Sequence, residues 1–240
     1  MAESSRTSGT LYGLGVGPGD PDLITLKALR LLQAAPVLAY PAPEEGDSLA
    51  RAIVAPHLNG GQIEIAIRIP MVTARFPARE VYDKASAEIA SHLESGRDVA
   101  VICEGDPFFY GSFMYLFERM VGRFPVEVVP GVSSLMACST TLGAPLAARN
   151  DVLSVIPATL DEGDLKSRLS AVDAAAIIKV GRHFAKVRRV LDDLGMAARA
   201  RYVEHATMSN ERILPLEAVD ESSAPYFSMV LVHARGEAWR

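Results

Sequence analysis

Five apolar residues, Val99-Ala100-Val101-Ile102-Cys103, run straight into Glu104-Gly105-Asp106-Pro107-Phe108-Phe109-Tyr110-Gly111-Ser112. The apolar run is short, partly β-branched and preceded by the turn formers Gly96-Arg97-Asp98, so it reads as a buried strand that must stop at Glu104. Gly105 lets backbone pass close to another body, Asp106 offers a short carboxylate, and Pro107 fixes φ and removes a donor. Three aromatic rings then stand at the carboxyl end of a sheet strand, where open α/β sheets bind ligands. A tight turn that sends its rings into the core competes with a ligand-binding loop for any single ring.

A chain of 240 residues is long for one small domain, and two domains of roughly 100 to 150 residues fit it better. A hydrophobic content of 49% fills both cores. The balance of 24 basic against 29 acidic residues leaves no global field to hold a polyanion such as nucleic acid, so an anionic ligand needs a local basic site. Cys103 and Cys138 cannot build a disulfide framework or a metal cluster, which points to a reducing cytoplasm and no metal. Residues 1–10 are polar and small, without the apolar core of a signal peptide, and read as a flexible tail. No stretch approaches the roughly 18 apolar residues of a membrane span.

From Leu11 to Val16 a strand enters Gly13, Gly15, Gly17, Pro18, Gly19 and Asp20. A dinucleotide-binding fingerprint needs a third glycine three places after the second; that place is Pro18 in one register and Asp20 in the other. Both fail, and the glycines suggest close backbone approach to some other ligand. Asp20 or Asp22 caps a following helix carrying Leu23, Leu26, Leu29, Arg30 and Gln33 at helical spacing. Val37 to Tyr40 reads as a strand, Ser48 caps a short helix to about Ala55, and Ile63, Ile65 and Ile67 alternate as a third strand. Arg68, Arg75 and Arg79 follow on a loop that is either solvated or facing an acidic substrate. Glu80 to Ser95 is an amphipathic helix with Val81, Ala85, Ile89 and Leu93 on one stripe, closed by Gly96.

Phe113 to Val121 reads as a helix and Val126 to Val129 as a strand leading into Pro130-Gly131-Val132-Ser133-Ser134. That segment offers backbone N–H groups and hydroxyls to a carboxylate, unless Ser133 merely caps the helix Ser134 to Leu142. The strand–helix alternation argues a mostly parallel sheet covered on both faces. The loop from Gly143 to Asn150 divides the chain into an N-terminal α/β domain, 11–146, and a C-terminal α/β domain, 147–240. In the latter, Val152 to Ile156, Ala174 to Val180, Tyr202 to Thr207, Glu211 to Leu214 and Pro225 to His233 are strands, the last apolar enough to be central. Asp164 to Leu169 and Phe184 to Leu194 are helices, and His183 is a surface or substrate contact rather than a base.

Five segments in a fixed order, GVGPGDPDLITLKA, EGDPFFYGS, PGVSS, IIKVG and YVEHATMSNER, resemble the tetrapyrrole methylase family over nearly the whole chain. Within it, EGDPFFYGSFMYL and the Tyr40-Pro41-Ala42-Pro43 segment are similar to the members that methylate carbon 20 of precorrin-2 in cobalamin synthesis. The resemblance implies two α/β domains, a mostly parallel N-terminal sheet and a mixed C-terminal one, with S-adenosylmethionine folded between them and a homodimer in solution. Carried over by motif, Pro18, Gly105, Asp106, Phe109, Tyr110, Ser133, Ser134, Val180 and Ala206 contact the cofactor, Val180 and Ala206 largely by backbone.

The chemistry implied is methyl transfer from a sulfonium to an electron-rich carbon, in which positioning is the main lever. Tyr40 and Glu104 are candidates to manage the departing proton, against the alternatives of a packing tyrosine and a helix-capping glutamate. Eight substrate carboxylates call for local basic residues, for which Arg51, Arg68, Arg149, Arg182 and Arg212 are reachable from the expected strand ends. Methylation of uroporphyrinogen III or of a cobalt-containing intermediate by a related enzyme, and non-catalytic tetrapyrrole binding, are the competing functions.

Overall fold

The structure is a computed structural model that describes residues 8–69 and 79–234; Arg75 and most of the expected N-terminal tail lie outside the described residues. It forms two compact units, Met1–Ser133 and Ser134–Arg240.

The first unit holds strands β1 (Leu11–Gly15), β2 (Val37–Pro43), β3 (Ile63–Ile69), β4 (Val99–Cys103) and β5 (Val126–Val129), and helices α1 (Leu26–Ala34), α2 (Leu49–Val54), α3 (Arg79–Glu94) and α4 (Phe113–Met120). The sheet order is β3-β2-β4-β1-β5 and every pairing is parallel. β1 and β4 are buried along their whole length because helices cover both faces. Leu11, Val99 and Val101 meet Ile89 and Leu93 of α3 and Phe113 and Leu116 of α4 on one face. Leu14, Ala100 and Ile102 meet Leu32 of α1 and Ile53 of α2 on the other.

Two local readings change. Asp20 caps only a single 3-10 turn, Pro21–Leu23, whereas α1 is capped by Thr25, whose hydroxyl accepts from the Ala28 N–H at 3.2 Å. The buried face of α1 is accordingly Ala28 and Leu32, and Leu26 is 84% exposed. β2 also runs on through Pro41 and Pro43. Its pairing with β4 ends at Ala39, so beyond that point one edge is open and a missing N–H breaks no ladder bond on that side.

The second unit contains α5 (Ser134–Thr141), β6 (Leu153–Pro157), α6 (Glu162–Leu169), β7 (Ala174–Ile178), α7 (Phe184–Asp193), β8 (Ala200–Glu204), β9 (Arg212–Leu214) and β10 (Ser228–His233). The sheet is mixed, in the order β6-β7-β10-β8-β9, with the apolar last strand inside it as expected. β6 runs parallel to β7, and β10 runs antiparallel to both β7 and β8. The start of β10 therefore lies at the edge of the sheet where β7 and β8 finish. The division between units falls after Ser133, ahead of the expected break at residue 146. The physical reason is α5, which places Leu135 and Cys138 in a cluster with Ala176, Ile178, Val203 and Met229 of the second sheet.

Candidate functional site

β4, β1 and β5 are adjacent and parallel, so their following loops leave one edge of the first sheet together, the edge at which such sheets take ligands. The loops are joined backbone to backbone. Gly105 N–H donates to the Gly17 carbonyl at 2.7 Å and Gly17 N–H returns a bond to Gly105 at 3.4 Å. A Cβ on Gly15 would lie 2.5 Å from Gly131 N and 2.6 Å from Gly105 O, and one on Gly131 only 2.0 Å from Gly105 O. A Cβ on Gly13 would enter the Phe113 ring at 2.3 Å. The glycine density expected to admit a ligand is thus needed in large part for the chain's own close packing.

Asp106 locks this junction. Its Oδ1 accepts from Phe108 N–H at 2.9 Å and its Oδ2 from Gly131 N–H at 3.1 Å, tying the loop after β4 to the loop after β5. Pro18 is buried beside Gly17 on the first loop. All three rings are exposed; Phe108 leans one side on Phe117 (ring centroids 5.1 Å) and Phe113 (6.1 Å), and Phe109 and Tyr110 meet edge to face at 5.2 Å. Tyr110 holds φ +57°, a left-handed conformation unusual for a side chain of its size. Ser133 is half-buried and Ser134 exposed where α5 begins. Pro18, Gly105, Asp106, Phe109 and Tyr110 are brought into this one junction.

Glu104 opens the central loop with its carboxylate accepting from the Ala50 N–H at 3.2 Å. Burial disfavours its charge and holds its carboxyl above the usual carboxylate range. Tyr40 is committed differently: its hydroxyl donates to Glu64 Oε2 at 2.9 Å, and burial together with that bond raises its pKa. Arg51 grips the same carboxylate through both oxygens, Nε and Nη2 each at 2.9 Å. Arg68 donates to the carbonyls of Pro43 and Glu44, bracing the loop after β2. Tyr40 and Arg51 thus form one cluster around Glu64, in which Arg51 is already charge-paired, while Arg68 is held by the loop after β2. Arg79 begins α3 instead of standing on a loop.

At the edge of the second sheet where β7 and β8 end, Val180 and Ala206 are both buried. Their neighbours Lys179, His205 and Thr207 hold φ of +57°, +49° and +69°, conformations that cost about 1–3 kcal/mol each and concentrate at functional loops. Arg182 is exposed on the single turn Gly181–His183, beside His183, whose pKa is lowered by burial and by Lys186 and Arg182. Arg212 sits 3.4 Å from the buried carboxylate of Glu204, which also accepts from the Tyr202 hydroxyl at 2.9 Å. Arg149 precedes β6 and so belongs to the opposite edge of this sheet, away from Val180, Ala206 and Arg182. Among the described residues no group of three or more His, Cys, Asp and Glu side chains is placed to hold a metal ion.

Two features escaped the sequence reading. Glu64 is the hub of the Tyr40–Arg51 cluster; its place on the open face of an alternating strand was visible, but the pairing of Tyr40 with Ala66 that brings the two strands together was not. Tyr226 and Phe227 stand exposed before β10. They precede their strand in the chain, and only the antiparallel run of β10 brings them to the edge where β7 and β8 end.

The family model of the tetrapyrrole (corrin/porphyrin) methylases matches residues 10–220. The precorrin-2 C(20)-methyltransferase of Sinorhizobium sp is 42% identical over 232 residues, covering 93% of this chain and 95% of that protein. The cobalamin biosynthesis protein CobIJ of Mycobacterium tuberculosis is 44% identical over 232 residues, 93% of this chain but 46% of that protein, so the chain spans about half the length of that relative. Among solved structures, the uroporphyrin-III C-methyl transferase from Thermus thermophilus complexed with S-adenyl homocysteine superposes with a TM-score of 0.67 at 26% identity, over 94% of this chain and 92% of that one.

Proposed function

Because the chain belongs to the tetrapyrrole (corrin/porphyrin) methylase family, we propose that it transfers the methyl group of S-adenosylmethionine to carbon 20 of precorrin-2 in cobalamin biosynthesis, releasing S-adenosylhomocysteine. The observation that carries this reading is the likeness to the Sinorhizobium precorrin-2 C(20)-methyltransferase over 95% of that protein's length.

The loops that leave β1, β4 and β5 suit such a donor. Around the Gly15–Gly105–Gly131 contact the chain presents backbone with little side-chain bulk, Asp106 keeps that backbone in one arrangement, and the exposed Phe109 and Tyr110 rings offer apolar surface. Pro18, Gly105, Asp106, Phe109, Tyr110 and Ser133 are the proposed contacts in the first unit, and Ser134, Val180 and Ala206 those in the second. When bound, S-adenosylmethionine supplies an electrophilic methyl carbon on a sulfonium; the carbon–sulfur electrons stay on sulfur as the new carbon–carbon bond forms, and carbon 20 gives up a proton. The residues mainly have to hold the two reactants in line, an effect worth roughly 7–11 kcal/mol of a bimolecular barrier. Of the two proton-handling candidates, Glu104 is the one that opens the central loop next to Gly105, and burial raises its pKa above the ordinary carboxylate value. Tyr40 serves as a neutral donor to Glu64.

Arg182 is the proposed anchor for substrate carboxylates, because Arg51 and Arg212 already face Glu64 and Glu204. Arg182→Ala is expected to weaken precorrin-2 binding more than S-adenosylhomocysteine binding in calorimetry. Arg51, Arg68 and Arg212 remain secondary candidates, and Arg149 stands at the far edge of its sheet. Cys103 and Cys138 are buried free thiols, which supports a reducing cytoplasm, and no helix of the described residues is long and apolar enough to cross a membrane. The family likeness supports a homodimer, to be measured by light scattering.

The deciding experiment incubates the protein with methyl-labelled S-adenosylmethionine and precorrin-2, with and without cobalt, and locates the label by NMR. Label at carbon 20 is expected. Label at carbon 2 or 7 would move the chain to the uroporphyrinogen-type reaction, and absence of label from every acceptor would leave a binding protein.

A further inference from the structure

Tyr226 and Phe227 stand just before β10 with 54% and 40% of their surface exposed. Leaving a ring of this size in water forgoes about 1.5–3 kcal/mol of burial, so an adjacent pair on a well-anchored segment needs a reason. The anchoring is direct. His205 N–H donates to the Phe227 carbonyl at 2.8 Å, the Ser228 hydroxyl donates to the Pro225 carbonyl at 2.6 Å, and the Gly181 turn abuts the backbone of Tyr226, where an added Cβ would lie 3.3 Å from Tyr226 Cα. The two rings meet edge to face, centroids 5.2 Å apart, and His205 lies 6.4 Å from Phe227. The left-handed residues Lys179, His205 and Thr207 belong to the two loops that flank this segment.

The loop after β7 carries only positive charge, and the acidic side chains shortly before Pro225 are engaged, Glu221 with Arg188 and Asp220 with Ser222 and Ser223. From Ala174 to Leu191 the chain has no acidic residue, and Lys179, Arg182 and Lys186 all fall within it. Among the described residues Arg182 makes no ion pair. The acidic groups of the neighbouring loop are already engaged: Glu204 by Tyr202 and Arg212, Glu211 by the Thr207 N–H and the Thr141 hydroxyl.

We propose that Tyr226 and Phe227 are a stacking platform for the conjugated, carboxylate-bearing macrocycle of the substrate, with Arg182 at its rim. This rests on the reading of the chain as a tetrapyrrole methyltransferase. The adenine of the cofactor is the other flat ring in the reaction, but its donor, with a sulfonium, an ammonium and a single carboxylate, is net positive and gains little from a cationic rim, whereas the same rim attracts a polycarboxylate.

The test uses the whole chain, the Tyr226→Ala/Phe227→Ala double variant and the ring-keeping Tyr226→Phe/Phe227→Tyr variant, each checked by circular dichroism. Uroporphyrin III, a flat octacarboxylic macrocycle, is titrated by fluorescence and S-adenosylhomocysteine by calorimetry. The double alanine variant is expected to lose about tenfold in uroporphyrin affinity and to keep its S-adenosylhomocysteine affinity within about twofold, while the ring-keeping variant matches the parent. Unchanged uroporphyrin affinity, or a loss confined to S-adenosylhomocysteine, overturns the platform and leaves the methyltransferase reading standing. A parent chain that binds no S-adenosylhomocysteine removes both. If the double variant does not fold, Tyr226→Leu, which keeps apolar bulk and deletes the π face, is held to the same two outcomes.

Discussion

Asp106 shows how one carboxylate can organise a loop site without being its reactive group. Both oxygens accept backbone N–H groups, from Phe108 two residues on and from Gly131 on a separate loop. Asp106→Ala leaves both donors without that partner, so a loss of about 1–3 kcal/mol is expected in urea denaturation, together with loss of S-adenosylhomocysteine binding in calorimetry. A variant that keeps full affinity would take the central loop out of the site. Glu104 offers a second test. Its folded pKa lies above the ordinary value because burial penalises the charge, so its contribution to stability is complete below the ordinary glutamate pKa and is lost as pH rises through the folded one. Glu104→Gln, whose amide oxygen can still accept from Ala50, is therefore expected to be more stable than the parent at about pH 8, with the gap closing towards about pH 4. A gap that widens on acidification would reverse the assignment. The importance of Gly105 and Asp106 could be seen in the sequence. That Asp106 reaches Gly131 could not, because hydrogen bonds across 25 residues leave no local trace.

Secondary elements were legible wherever one signal stood alone. Val99–Cys103 and Val126–Val129 coincide with the observed strands, and Ser48 caps its helix as expected, its Oγ accepting from Arg51 N–H at 3.2 Å. The reading slipped where signals competed. Asp20, Asp22 and Thr25 are all good caps, and a 3-10 turn separates the first from the last. A helix counted from Asp20 or Asp22 takes in Leu23, which lies in the 3-10 turn. Thr25→Ala is expected to cost about 1 kcal/mol through loss of the cap. Leu26→Gln, at an exposed position, should change stability by no more than about 0.5 kcal/mol. Thermal melts of the two variants check the cap, and the opposite ranking would return it to Asp20 or Asp22. The five arginines chosen for the substrate met the same limit. Their type was readable, but Arg149 falls at the opposite edge of its sheet, and Glu64 and Glu204, which pair with Arg51 and Arg212, lie on strands whose order no periodicity encodes.

At the scale of the molecule the alternation of strands and helices conveyed two α/β units and a parallel first sheet. It did not convey which helix belongs to which unit. α5 follows the strands of the first sheet in the chain, yet Leu135 and Cys138 pack with Ala176, Ile178, Val203 and Met229. Helices open cooperatively with the core that buries them, so α5 should share the opening free energy of β7, β8 and β10 rather than that of β1 and β4. Met229→Ala removes a side chain that is 3% exposed at the centre of that cluster, at an expected cost of about 2–5 kcal/mol to the second unit. In native-state hydrogen exchange the amides of α5 should then speed up together with those of β7 and β8, while β1 and β4 keep their rates. Should α5 instead stay protected in step with β1 and β4, it would belong energetically to the first sheet. The boundary would then return to the loop between Gly143 and Asn150, where the turn-forming residues alone would have put it.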